Sequence, residues 1–174
     1  MRFNSAQADK LQEKRDRMTD SELERCIEKF SKCVYNAAVC CVKNRADADD
    51  ITQEVFLTLF TYPGRFESDE HIKAWLLRCT VNRSRNLLRS RWYRLSQPLE
   101  DAGISVNDKY GEDCLLSLVM KLEKNSRIAL YMHYYEGYST AETAKLLGIS
   151  ETAVRSRLFR GRKQLKKLLG DERS

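Results

Sequence analysis

Proline is nearly absent from this chain. There are two in 174 residues, with only seven glycines. Helix breakers are therefore sparse, runs of β-branched residues are missing too, and the two shortages imply an all-α protein. No apolar stretch is long enough to span a bilayer, and the first twenty residues, MRFNSAQADKLQEKRDRMTD, lack the apolar centre of a secretory signal. The expectation is a cytoplasmic protein that is not membrane-embedded. Histidine is limited to two residues, and none of the six cysteines (Cys26, Cys33, Cys40, Cys41, Cys79, Cys114) forms a C-x-x-C pair. Finger-type spacing is missing, so no metal site and no cofactor are expected. The thiols read as small core hydrophobes, with a redox pair at the adjacent Cys40 and Cys41 as the alternative. Neither a nucleophile–base pair nor a phosphate loop is present, so no catalytic residue is assigned and the chain does not read as an enzyme.

Positive charge is present and uneven. The net charge is +6, but Arg78 to Arg94 holds six arginines and no acid. Ser150 to Gly170 holds seven Lys/Arg against Glu151, which leaves the rest of the chain net acidic. Two basic footprints on an acidic chain suggest two contacts with nucleic acid.

The second footprint lies in STAETAKLLGISETAVRSRLFRGRKQLKKLL, Ser139 to Leu169. Ser139 and Glu142 have capping-box spacing, Gly148 supplies a left-handed stop, and Ser150 caps the next helix. This is a helix-turn-helix pattern, whose second helix enters the major groove of DNA. Val154, Leu158, Gly161 and Leu165 share the core side of that helix. Thr152, Ser156, Phe159, Arg160 and Lys163 face the other way, with Arg155 and Arg162 beside them. A solvated helix would balance its charges. This one is suited to phosphate contact, with base-edge contact from Arg155, Ser156, Phe159 and Arg160.

Upstream, residues 1–18 read as a flexible leader. Thr19 and Glu22 offer a second capping box, and Leu23, Ile27, Phe30, Val34, Ala38 and Cys41 recur at helical spacing up to a break at Asn44 and Arg45. A second helix starts near Asp47, buries Ile51, Val55, Phe56, Leu59 and Phe60, and ends at Pro63-Gly64. A third is expected from His71 to Arg94. Leu95 to Gly111 holds Pro98, Gly103 and Gly111 and reads as a linker. Helical pattern resumes at Asp113, a further helix is expected over Ser126–Glu136, and His133 beside Tyr131, Tyr134 and Tyr135 reads as a packing residue. The division is thus 1–18 leader, 19–94 first helical domain, 95–112 linker and 113–174 helix-turn-helix domain.

The first domain carries two features of its own. In DADDITQEVFL, Asp49, Asp50, Gln53 and Glu54 form an acidic, amide-bearing stripe on the outer face of an apolar-backed helix. A solvated face would look the same. In WLLRCTVNRSRNLLRSRW, arginines alternate with Trp75, Asn82 and Asn86. Such a face can follow phosphates and hydrogen-bond the bases of opened DNA, although Trp75 fits the core better than a stacking platform.

These two motifs and the Ser139–Leu165 block, in this order over roughly residues 20–170, resemble a bacterial RNA polymerase sigma factor of the extracytoplasmic-function group. The resemblance implies a region 2-like domain and a region 4-like domain. It implies that Asp47, Asp49, Asp50, Gln53 and Glu54 grip core RNA polymerase. The Arg65–His71 loop with Phe66, and Asn82, Arg83, Arg85, Asn86 and Arg89, would capture the melted minus-ten element. Thr152, Arg155, Ser156, Phe159, Arg160 and Lys163 would read the minus-thirty-five element. Partners implied are core RNA polymerase, promoter DNA and an anti-sigma factor, in this group often membrane-anchored. Two departures stand out. Asn86 replaces a common Asp, and Asp69-Glu70-His71 replaces a commoner Ser-Phe. The alternative is a helix-turn-helix operator-binding regulator that is not a polymerase subunit. It would leave the 47–54 stripe and the Asn82 helix without a task.

Overall fold

The computed structural model describes residues 18–90 and 114–171. Helix α1 (Asp20–Val42) starts at the expected capping box: Glu22 N–H donates to Thr19 Oγ1 at 3.3 Å, and Thr19 N–H to Glu22 Oε2 at 2.8 Å. Helix α2 (Arg45–Thr61) begins two residues earlier than expected, because the Asn44 side chain accepts from Asp47 N–H and acts as its cap. It stops at Tyr62, which Pro63 holds out of the helical region (ψ 124°).

Helix α3 runs Asp69–Arg89 rather than from His71 to Arg94. Ser68 accepts from His71 N–H at 3.1 Å and so moves the start upstream. Ser90, at ψ 135°, ends the helix; residues 91–94, the linker at 95–112 and nearly all of the leader lie outside the described residues.

The second unit contains α4 (Cys114–Met120), α5 (Lys124–Leu130), α6 (Thr140–Leu147) and α7 (Glu151–Asp171). The single helix expected over Ser126–Glu136 is in fact α5 followed by a π-helical segment, Tyr131–Tyr135. There Glu136 N–H reaches back five residues to Tyr131 O at 3.1 Å, and Tyr138 N–H six residues to Met132 O. This widened turn, closed by Gly137 at φ 78°, redirects the chain into α6. Gly148, at φ 62°, is the left-handed stop between α6 and α7.

All described elements are helical or turn, with no strand among them. Helix α1 packs on α2, α3 and α5, and α7 packs on α5 and α6. From Val34 to Val42 every residue of α1 is buried, because α2 and α3 cover one side and the second unit covers the other. Ile128, Leu130, Met132, Leu147, Val154 and Leu158 continue that core into the second unit. The two helical units therefore lie against each other. Arg127 of α5, 2% exposed, donates from Nε to Cys40 O of α1 at 2.6 Å and from Nη1 to Leu122 O at 3.0 Å. Among the described residues no helix is long and apolar enough to cross a membrane.

Candidate nucleic-acid and partner interfaces

The acidic stripe divides when it is placed on α2. Asp49 and Gln53 line a groove of about 420 Å³ between α1 and α2, together with Leu23, Ile27, Phe56 and Leu57. Asp50 is exposed, and Asp47 is half-buried in the first turn. Glu54 turns toward α3 and ion-pairs with Arg83, whose other nitrogen donates to Thr58 Oγ1 at 2.5 Å. The apolar part of this groove was not anticipated. Ile27, expected in the buried stripe of α1, is 39% exposed, and Leu57 is 65% exposed. The sequence signal for Leu57 was its place one turn after Gln53, outside the Ile51–Val55–Leu59 stripe. A rim of amide and acid thus surrounds exposed leucine and isoleucine in this groove.

The loop before α3 is held from two sides. Tyr62, Phe66 and Trp75 form an aromatic cluster with ring centroids 5.0–5.6 Å apart, and His71 stands edge-on to Phe66 at 5.3 Å. Gly64 permits it, since a Cβ there would lie 2.4 Å from the Tyr62 ring. Trp75 is thus a half-buried packing residue, and Phe66 is half-buried with it. On the other side Asp69 meets Lys29 Nζ at 2.5 Å and Arg25 at 3.4 Å. The hydrogen bond from Lys29 holds its carboxyl below the usual aspartate range. A cleft of about 390 Å³ separates this loop from the start of α1, with Arg65 and Phe66 on one wall and Thr19, Glu22 and Arg25 on the other. Along α3, Arg78, Asn82, Asn86 and Arg89 are exposed at spacings of three and four, on one face. Arg83 lies beside that face, bound to Glu54. Arg85 is half-buried and donates from Nη2 to Leu147 O, at the end of α6, at 2.7 Å. Of the six residues expected at the minus-ten element, Asn82, Asn86 and Arg89 thus share an open face, Phe66 and Arg83 border it, and Arg85 faces the second unit.

On α7 the expected two-sided pattern is present. Val154 and Leu158 are buried and Gly161 faces α5, whereas Thr152, Arg155, Ser156, Phe159, Arg160 and Lys163 are all exposed. The helix start is fixed by Ser150, which accepts from Ala153 N–H at 3.2 Å. Glu151 accepts from Thr140 Oγ1 at 2.7 Å and Arg155 at 2.6 Å, tying the first turn of α7 to the first residue of α6. Phe159, 66% exposed amid arginines, is an apolar group of the kind that meets a thymine methyl. Arg157 lies partly under this surface. Burial, with Arg160 and Arg85 nearby, lowers its pKa from the usual arginine range.

The described cysteines are poorly suited to redox chemistry. Burial raises the pKa of each: Cys33 to about 12, Cys41 to about 11, and Cys26, Cys40 and Cys79 in the same direction. His133 Nδ1 donates to Tyr138 O, 2.7 Å away, in a packing role. Among the described residues no cluster of three His, Cys, Asp or Glu could hold a metal ion.

Comparison with known proteins gives this geometry a family. Residues 26–94 match the model of sigma-70 region 2, and residues 112–165 that of sigma-70 region 4. The chain is 34% identical over 128 residues to the ECF RNA polymerase sigma factor SigM of Mycobacterium tuberculosis (71% of this chain, 65% of SigM). It is 31% identical over 137 residues to the RNA polymerase sigma factor CarQ of Myxococcus xanthus (75% and 79%). The structure of CnrH in complex with the cytosolic domain of CnrY aligns with a TM-score of 0.60 at 27% identity, covering 88% of this chain and 90% of that one. The match thus spans just under two thirds of SigM and more than three quarters of CarQ. With both sigma regions present in order and relatives at this identity, the chain belongs to the extracytoplasmic-function group of the sigma-70 family.

Proposed function

We propose that this chain is a promoter-specificity subunit. It binds core RNA polymerase through the α1–α2 groove and the Asp47, Asp49, Asp50 and Gln53 stripe. It captures minus-ten bases along the Asn82, Asn86 and Arg89 face of α3, and reads the minus-thirty-five element with the exposed face of α7. The observation that carries this reading is the exposure of all six α7 residues, Thr152 through Lys163, over a buried Val154–Leu158 seam. Opening of DNA needs no catalytic group. Binding energy from unstacked bases offsets an unpairing cost of a few kcal/mol. Such work is done in the cytoplasm. CnrH, a relative, has been seen bound to the cytosolic domain of another protein, and an anti-sigma factor is proposed here as the corresponding regulator.

Transcription from a promoter library by core polymerase plus this chain tests the reading. Replacing Arg155 and Arg160 by Ala should relax choice at the upstream element and flatten the salt dependence of DNA binding, by roughly two units of log–log slope. Unchanged selectivity in that double variant would contradict the groove assignment. Start sites indifferent to the added chain, with tight binding to duplex alone, would point to an operator-binding regulator.

A further inference from the structure

We propose that Tyr134 and Arg162 form a phosphate clamp beside the reading face of α7, which fixes where this helix sits in the groove without reading any base. The proposal rests on the α7 part of the reading above and adds a residue from outside the helix-turn-helix. Tyr134 belongs to the π-helical segment ahead of α6 and is 53% exposed. Arg162 of α7 donates from Nη1 to the Tyr134 hydroxyl at 3.5 Å. The bond joins positions 28 residues apart, and both side chains stand in solvent.

This tyrosine is held in place. The His133 ring, fixed by its bond to Tyr138 O, stands edge-on to Tyr134 with centroids 4.8 Å apart. Tyr131 and Met132 of the same segment are buried and anchor it. π-Helical turns of this kind recur at functional sites. Arg162 has no ion-pair partner among the described residues, whereas Arg155, two turns earlier on the same flank, is bound to Glu151. The phenol oxygen accepts from Arg162, so its own O–H is left to donate. Two donors, one of them charged, thus stand side by side at the surface, a pairing suited to a phosphate oxygen.

Position along α7 explains why the contact is to the backbone. Arg155 and Arg162 lie about 10 Å apart along the helix axis and nearly in line on its surface. A major groove is about 12 Å wide. With Arg155, Ser156, Phe159 and Arg160 at the base edges, Arg162 and Tyr134 come to the rim, where the sugar–phosphate strand runs. A neutral and a charged donor on one phosphate respond differently to salt, because only the arginine displaces a counterion.

The test uses the full chain and one duplex, obtained by repeated selection on the chain from a pool with a random-sequence core. Tyr134→Phe removes only the hydroxyl. It should weaken binding about fivefold, with the salt slope and the selected sequence as in the parent. Arg162→Gln should lower the log–log salt slope by about one. A series of the same duplex, each member with one phosphate replaced by an uncharged methylphosphonate, then locates the contact. At one phosphate the penalty of Tyr134→Phe should vanish, because the parent has lost the same bond, and at the others it should persist. A purely structural defect would weaken binding to every member alike. Tyr134→Phe binding as tightly as the parent, or a penalty equal at all positions, overturns the clamp. Failure of the parent to select any duplex sequence would overturn the groove assignment of α7, and the clamp with it, which separates the two.

Discussion

Glu54 and Arg83, read from the sequence as contacts to different partners, are bound to each other across α2 and α3. Side-chain exposures of 57% and 37% make this a surface pair, worth under about 1 kcal/mol, so polymerase or DNA can recruit either residue at little cost. Gly148 behaves differently, because no neighbour can replace what it provides. At φ 62° the cost of any side chain falls on the backbone. A Cβ would meet nothing nearer than Arg85 Nη1 at 3.9 Å. Gly148→Ala should therefore lower stability by about 1–2 kcal/mol in chemical denaturation through backbone strain; an unchanged midpoint would show that the turn can relax. The thiols yield a second residue-scale expectation. Cys26, Cys33, Cys40, Cys41 and Cys79 should resist alkylation of the native protein at neutral pH. Peptide mass spectrometry after a short iodoacetamide pulse would check this, and rapid labelling of Cys40 or Cys41 would revive the redox reading that their burial speaks against.

The starts of α1 and α6 were legible because capping boxes are local chemistry, whereas the caps of α2 and α3, Asn44 and Ser68, lie upstream of the expected starts. Thr19–Glu22 and Ser139–Glu142 both close as their spacing implied. The end of α3 and the π-helical segment were less legible, for reasons of range. Arg89 and Ser90 carry no breaker, so nothing in composition stops the helix there. A shift from four-residue to five-residue hydrogen bonding at Tyr131 leaves YMHYY looking like any helical stretch. The packing of α7 on α5 was half legible. Gly161 was placed on the core side, but its reason is a close helix approach, since a Cβ would fall 2.5 Å from Leu130 Cδ1 and 3.3 Å from Ser126 Cβ. Gly161→Leu should thus push α7 off α5 and cost about 1–3 kcal/mol. A thermal scan showing no loss would mean that Leu130, 2% exposed, has room to turn aside.

Over the whole molecule, the two-unit division could be read from charge and composition, but the contact between the units could not, because it joins residues distant in sequence: Cys40 with Arg127, Arg85 with Leu147, Lys73 with Glu136. One clue was present. CVYNAAVCCV in α1 is apolar almost all round, as a helix covered on every side must be. The same reasoning in reverse explains Leu57, an apolar residue that is left 65% exposed among the described residues. Under the proposed function, the α1–α2 groove that it lines is the surface assigned to core polymerase. The most direct test is co-purification of the chain with sigma-free core RNA polymerase, comparing the parent with Leu57→Glu. The account predicts a one-to-one complex for the parent, and loss of that complex for Leu57→Glu with an unchanged helical circular dichroism spectrum. A parent chain that binds promoter duplex but leaves core polymerase unbound would contradict it.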